Sequence, residues 1–260
     1  MTALSHAQRL ALLPELRRLA LEAGAEIMRH YDTNIAVERK EDRSPVTAAD
    51  RAAEALILPD LRKLIPGVPI VAEEEASAGR VPKVGSGSFW LVDPLGGIKE
   101  FLAHNGEFTV NIGLIEDGLP TLGVVHAPAL PVTYLGAVPG HATVERPGAA
   151  PQPIRARPAP AEGLTVCISR SHAKKDEVDD FLAGYRVHDL AIAGSSIKFC
   201  RVAEGMADLY PRLGPTMEWD TAAGHAVLAA AGGTVLRLDG TPLRYAKPDF
   251  RNVPFLAAGA

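Results

Sequence analysis

The sequence predicts a mixed α/β fold, built as one large domain or as two small lobes sharing a core. Its 260 residues are 47% hydrophobic and 22% charged, enough for a sizeable core and too apolar for wholesale disorder. Helical and strand periodicities interleave along the chain without a strict βαβ repeat. An alternating apolar segment ends at Asp117-Gly118 and is followed by a second apolar run, the sequence signal of a hairpin.

The elements follow in chain order. From Ser5 to Tyr31, Leu10, Leu13, Leu16, Leu19, Ala20, Ala23 and Ile27 recur at three- and four-residue steps, an amphipathic helix in which Pro14 marks a bend or a late start. Val46 to Leu64 reads as a second helix, stopped by Pro66-Gly67. Val68–Ala72 and Phe89–Asp93 are short apolar strands, the latter ending at Pro94. Phe108, Val110, Ile112 and Leu114 share one face of a strand over 107–116, paired through the Asp-Gly turn with 122–126 and followed by a third strand over 132–138. Residues 139–163 hold six prolines, Pro139, Pro147, Pro151, Pro153, Pro158 and Pro160, and read as loop with at most short strands. The second half predicts strand 164–169, helix 174–183, strand 186–190, helix 195–204, strand 207–210, a small-residue helix 221–231 ended by Gly232-Gly233, and strand 234–238.

Charge and composition narrow the function. Lys and Arg number 27 against 31 acidic residues, a net charge of −4, which disfavours a general nucleic-acid binder. Cys167 and Cys200 form no CxxC pair and no disulfide framework, which fits a reducing cytosol. Met1–Leu13 lacks a signal-peptide core, and no run approaches the roughly 18 apolar residues of a membrane span. The expectation is a cytoplasmic protein without stable membrane insertion.

Three acidic stations stand out: Glu73-Glu74-Glu75 after the strand Val68–Ala72, Asp93-Pro94-Leu95-Gly96-Gly97 after Trp90-Leu91-Val92, and Asp220 in Glu218-Trp219-Asp220-Thr221. Carboxylates at strand ends and helix starts supply the hard oxygen ligands that Mg2+ prefers, and paired ions of this kind clamp a phosphoester between attacking water and leaving oxygen. Each station alone has a plainer reading: a solvated Glu run, an Asp-Pro turn, or a helix N-cap at Asp220.

The wording of these stations resembles a known family. Ser44-Pro45-Val46-Thr47-Ala48-Ala49-Asp50, Trp90–Leu95, Lys99-Glu100-Phe101, 105–112 (NGEFTVNI) and Trp219-Asp220-Thr221-Ala222-Ala223-Gly224-His225 are similar to the signatures of the inositol-monophosphatase superfamily. Lys99-Glu100-Phe101, Ile168–His172 and Gly194–Cys200 resemble its bacterial 3′(2′),5′-bisphosphate nucleotidase branch. The resemblance runs from Lys40 to Asp239. It implies the layered α-β-α-β-α sandwich of the sugar phosphatases, with the site between a lobe of about 1–160 and a lobe of about 161–260. It also implies a Mg2+-dependent phosphoric monoester hydrolase with two or three ions. Such an enzyme removes the 3′-phosphate of 3′-phosphoadenosine 5′-phosphate, or of its 5′-phosphosulfate relative, by in-line attack of water with inversion at phosphorus. The resemblance further implies a part in sulfur assimilation, inhibition by Li+, and a cytoplasmic location that extends to the cytoplasmic face of the inner membrane.

By resemblance, Glu73 binds the first metal and acts in catalysis, Asp93 bridges two metals, the Leu95 carbonyl binds the first and Asp220 binds the second beside the substrate. Asp50, with a Thr, orients and helps deprotonate the attacking water. The substrate would be a small bisphosphate nucleotide. Lys40 is either a surface lysine or a phosphate ligand. Arg170 and His172 either grip the second phosphate or cap a loop. Lys198, beside Ser195 and Ser196, either holds an anion or is a solvated lysine on a helix face. Trp219, Cys167 and Cys200 read as core residues.

One departure is serious. The family motif Asp-Pro-Leu-Asp-Gly-Thr stands here as Asp93-Pro94-Leu95-Gly96-Gly97-Ile98. Gly96 lacks the carboxylate of the second metal site, and Ile98 offers Asp50 no hydroxyl. A lost relay partner costs roughly 10²–10⁴-fold in rate. Two further readings follow: an inositol- or fructose-phosphate phosphatase, and a binder that holds the nucleotide without hydrolysing it. The substrate-contacting set thus includes Gly96, Gly97 and Ile98 as well as Lys198. The oligomeric state is not legible in the sequence.

Overall fold

The computed structural model describes residues 3–31, 38–39, 45–46, 48–170 and 175–260. In chain order these form α1 (His6–Tyr31), a ribbon of β1 (Glu38–Arg39) and β2 (Pro45–Val46), α2 (Ala48–Leu64), β3 (Ile70–Ala72), α3 (Glu73–Ser77) and β4 (Phe89–Gly96). Then come α4 (Ile98–Leu102), β5 (Thr109–Glu116), β6 (Leu119–Ala127), β7 (Val132–Ala137), β8 (His141–Glu145) and β9 (Gln152–Pro153). The remainder is β10 (Leu164–Ser169), α5 (Lys175–Leu182), β11 (Val187–Ala193), α6 (Ile197–Ala203), β12 (Leu209–Arg212), α7 (Ala222–Ala230), β13 (Thr234–Arg237) and β14 (Phe255–Ala258).

The strands make two large sheets. β3 to β9 line up in sequence order, antiparallel except for the parallel pair β3–β4. The second sheet has the order β11-β10-β12-β14-β13, with β10 parallel to both its neighbours. Helices α1 and α2 lay Leu16, Leu19, Ala23, Ile27, Ala53, Ile57 and Leu61 on one face of the first sheet. Helices α6 and α7 fill the space between the sheets. Val178 and Leu182 of α5 cover the outer face of the second sheet with Val166 and Leu209. The result is the α-β-α-β-α layering expected.

A row of glycines sets the central spacing. Gly113, Gly123 and Gly136 are cross-strand neighbours on β5, β6 and β7. A Cβ on any of them would fall 2.6–2.9 Å from backbone atoms of Ala223 or Val227 in α7. Without side chains there, the alanine-rich helix seats directly on the sheet backbone, which fixes where Asp220 and Thr221, just ahead of it, meet the first sheet.

Several elements depart from the sequence reading. α1 starts at His6 and carries Pro14 inside it, because its apolar stripe is long enough to outweigh one missing hydrogen bond. β4 runs through Pro94 to Gly96, with a register shift between Asp93 and Gly96 that accommodates the missing N–H. The Glu73–Ser77 run is a short helix. β5 is buried on both faces, since helices cover both sides of its sheet. The proline-rich stretch, by contrast, holds only the short strands β8 and β9, as the sequence reading allows. β14, not anticipated, is the inner strand between β12 and β13.

Candidate active site

Each acidic station is held by its local fold. After β3 the chain turns into α3, whose first N–H groups would lack partners. The carboxylate of Glu54, on α2, accepts them: Glu74 N–H at 2.8 Å and Glu75 N–H at 3.0 Å. Burial raises the Glu54 carboxyl to about 7, opposed by these two hydrogen bonds. Glu73 is thereby placed at the start of a pinned helix.

Asp93 lies opposite Asn111 of β5, and Asn111 Nδ2 donates to Asp93 Oδ2 at 3.2 Å. The strand ends at Gly96, and Gly97, at φ 94°, turns the chain into α4, a backbone state natural to glycine. A Cβ at Gly96 would lie 2.3 Å from Asp93 Oδ2, 2.7 Å from Asn111 Nδ2 and 3.0 Å from Ser195 Oγ. Any side chain there requires the Asp93 carboxylate to swing aside. Gly96 closes the strand rather than sitting in a loop, and Ile98 opens α4.

Asp220 precedes α7, whose N-cap is Thr221, so Asp220 is not the cap. Its Oδ2 accepts the Met217 N–H at 2.7 Å, and its carbonyl accepts Ser196 Oγ at 2.9 Å. Glu73 of α3, Asp93 of β4 and Asp220 from the turn ahead of α7 are far apart in the chain, yet each offers a carboxylate oxygen within 4.8 Å of the others. Glu73 also belongs to a second such group with Asp50 and Glu74.

The first group opens on a cavity of about 270 Å3. Leu95, Gly96, Gly97, Ile98, Ser195, Ser196 and Lys198 line it together with Glu73, Asp93 and Asp220. Asp50 is fully buried and does not line it. Arg170 is not in the wall either; it pairs with Glu107 at 3.2 Å. Lys40 and His172 lie outside the described residues.

Lys198 is not a solvated lysine. It is 3% exposed, donates to the carbonyls of Ser195 at 2.8 Å and Ala193 at 3.2 Å, and its ammonium sits 5.2 Å from the Tyr210 ring centre. Burial, and next the Arg212 guanidinium, lower its pKa to about 8. Trp219 packs in an apolar cluster with Phe250, and both cysteines are buried free thiols, with burial raising Cys167 to about 11.

Sequence reasoning missed Arg212. It closes β12, is buried, lines the cavity, donates Nη2 to the Pro215 carbonyl at 2.9 Å, and its Nε has no partner among the described residues. An arginine in an apolar Leu-Tyr-Pro-Arg strand was the available signal. Cations at Lys198 and Arg212 facing a carboxylate group suit an anionic ligand carried beside a divalent cation.

The profile of the Inositol monophosphatase family matches residues 11–256. A 3′(2′),5′-bisphosphate nucleotidase CysQ of Salmonella typhimurium is 50% identical over 236 residues, 90% of this chain and 94% of that protein. Its Escherichia coli K12 counterpart is 49% identical over the same shares. Among solved structures, CysQ from Bacteroides thetaiotaomicron superposes with a TM-score of 0.79 at 33% identity, covering 96% of this chain and 97% of that one. An inositol monophosphatase from Anabaena gives 0.76 at 27%, covering 96% and 90%.

Proposed function

The chain belongs to the inositol monophosphatase family, and from that premise we propose that it is a Mg2+-dependent 3′(2′),5′-bisphosphate nucleotidase. It removes the 3′-phosphate of 3′-phosphoadenosine 5′-phosphate, leaving AMP and inorganic phosphate, and accepts the 5′-phosphosulfate analogue, which presents the same 3′-phosphate. It acts in the cytoplasm, in a site between lobes of about 1–160 and 161–260. The reading is supported by the relatives above. The observation that carries it is the gathering of Glu73, Asp93 and Asp220 on a cavity whose wall also holds buried Lys198.

That donor set is all hard oxygen and fits Mg2+; with the Leu95 carbonyl, these residues would hold the ion. Bound there, it would supply Lewis-acid polarisation of the phosphoryl oxygens. Lys198 and Arg212 would hold phosphate oxygens as charged donors, with Ser195 and Ser196 beside them. Asp50 lies outside the cavity wall, and its family role of orienting the attacking water would have to be exerted through the carboxylate group that it shares with Glu73 and Glu74. The water oxygen displaces the ribose 3′-oxygen, which leaves with a proton. Gly96 contributes no side-chain oxygen to a second cation, and Ile98 gives Asp50 no hydroxyl, so turnover is slow.

Those two residues also favour a second reading, a chain that binds the nucleotide without hydrolysing it. Phosphate release, with calorimetry on the same ligand in Mg2+, separates the two. Release at a low rate, raised in the Gly96→Asp, Ile98→Thr double variant, supports the nucleotidase. Tight binding with no release in either chain supports the binder, and faster release from inositol phosphate than from the adenosine bisphosphate overturns both.

A further inference from the structure

Thr109 opens β5 and is fully buried. Its hydroxyl lies 2.5 Å from the hydroxyl of Ser195, which stands between β11 and α6 in the other half of the molecule. From this contact we infer that Thr109 is a positioning residue. It links a hydrogen-bond relay, Asp93–Asn111–Thr109–Ser195, that fixes Ser195 and, through it, Lys198. The inference deepens the nucleotidase reading and rests on it for the ligand.

Counting hydrogens gives the relay a direction. The Asn111 amide nitrogen Nδ2 donates to Asp93 Oδ2 at 3.2 Å. The same Nδ2 is 2.9 Å from Thr109 Oγ1 and 3.3 Å from the Thr109 carbonyl. With Nδ2 donating to it, the Thr109 hydroxyl spends its one hydrogen on its shortest contact. That contact is Ser195 Oγ at 2.5 Å, nearer than Asn111 Oδ1 at 3.2 Å. The Ser195 hydroxyl is then an acceptor toward Thr109 and keeps its own hydrogen for the cavity that it lines. The carboxylate at one end thus makes Ser195 a donor at the other, the polarity an anionic ligand needs.

The backbone at Ser195 supports the same role. Its φ is 45°, a left-handed state uncommon for a residue with a side chain and held only where the surroundings impose it. The Ser195 carbonyl, set by that conformation, receives the Lys198 ammonium at 2.8 Å. A hydroxyl at 109 therefore ties two cavity groups, Ser195 and Lys198, to the strand that faces Asp93.

The test compares Thr109→Val, which keeps shape and loses the hydroxyl, with Thr109→Ser, which restores it; Thr109→Ala replaces the valine variant should that not fold. For Thr109→Val, the expected result is a Kd and KM for 3′-phosphoadenosine 5′-phosphate raised about tenfold, the ~1.4 kcal/mol of one hydrogen bond. Its kcat stays within twofold, Thr109→Ser binds like the wild type, and Thr109→Val adds nothing to Ser195→Ala. Unchanged binding in Thr109→Val, or equal losses in kcat and binding that serine does not rescue, overturns the relay. Should the wild-type chain bind no adenosine bisphosphate, the nucleotidase reading falls, and crystal structures of the ligand-free variants decide the relay. Ser195 leaving its left-handed conformation in Thr109→Val but not in Thr109→Ser supports it, and Ser195 unmoved in both overturns it.

Discussion

Replacing Lys198 by methionine should stabilise the ligand-free protein at pH 7 while weakening its grip on phosphate. The side chain is almost fully buried, and its pKa falls from 10.5 to about 8. That gap, at about 1.4 kcal/mol per pH unit, weighs on the order of 3 kcal/mol against the folded state at neutral pH. Methionine has similar length and no charge, but it leaves the carbonyls of Ser195 and Ala193 without this donor, at about 1 kcal/mol each. The net expectation is a gain on the order of 1 kcal/mol. Because the folded pKa lies below the unfolded one, wild-type stability rises with pH between about 8 and 10.5, as the unfolded chain holds the proton longer. The advantage of the variant is therefore complete below pH 8, fades as the penalty is lost, and turns into a deficit toward pH 10.5, where only the missing hydrogen bonds remain. Urea denaturation of both chains in chelator, at pH 7 and at pH 10, reads this difference. Calorimetry should show the adenosine bisphosphate bound roughly 30-fold more weakly, the ~2 kcal/mol of a charge-assisted hydrogen bond. A variant less stable than wild type at pH 7, or a difference that does not shrink with pH, would refute the view of Lys198 as a buried charge kept for its ligand.

Three further outcomes are expected. Asp50→Asn should cost little in this chain and much in an Ile98→Thr background, since residues acting as a unit are non-additive; additive losses of phosphate release would show that Asp50 works alone. On the proposed reading, in which Gly96 withholds a ligand from a second cation site, residual activity should be less sensitive to Li+ than that of the Gly96→Asp, Ile98→Thr chain; equal inhibition constants would count against that role for position 96. Glu54, raised from 4.5 to about 7 by burial, favours the fold fully below about pH 4.5 and loses that contribution as pH rises through 7. Glu54→Gln should remove ~1–2 kcal/mol of this slope in chelator. His126 and His225, lowered by burial to about 4 and about 3, tilt the curve the opposite way in both chains and cancel in the comparison.

Taken alone, the amino-acid order determined a good deal. Apolar spacing at three- and four-residue steps set α1, and alternation with an Asp-Gly turn set the β5–β6 hairpin, because local periodicity and turn chemistry act within a few residues. The motif around Asp93 and the Trp219-Asp220-Thr221 run marked two of the three carboxylates that meet, and they made Gly96 and Ile98 visible as departures. Other features depend on residues far apart in the chain. β14 is short and close to the C-terminus, and it becomes a strand because β12 and β13 offer edges on both sides. Lys198 reads equally as an anion holder or a solvated lysine in the sequence, and only the packing of α6 between two sheets shows it buried. Glu54 gains its task only when α3 arrives 20 residues later with unpaired N–H groups. Thr109 meets Ser195 across 86 residues of sequence, and no local pattern encodes a contact that exists only once a row of glycines lets α7 seat on the first sheet.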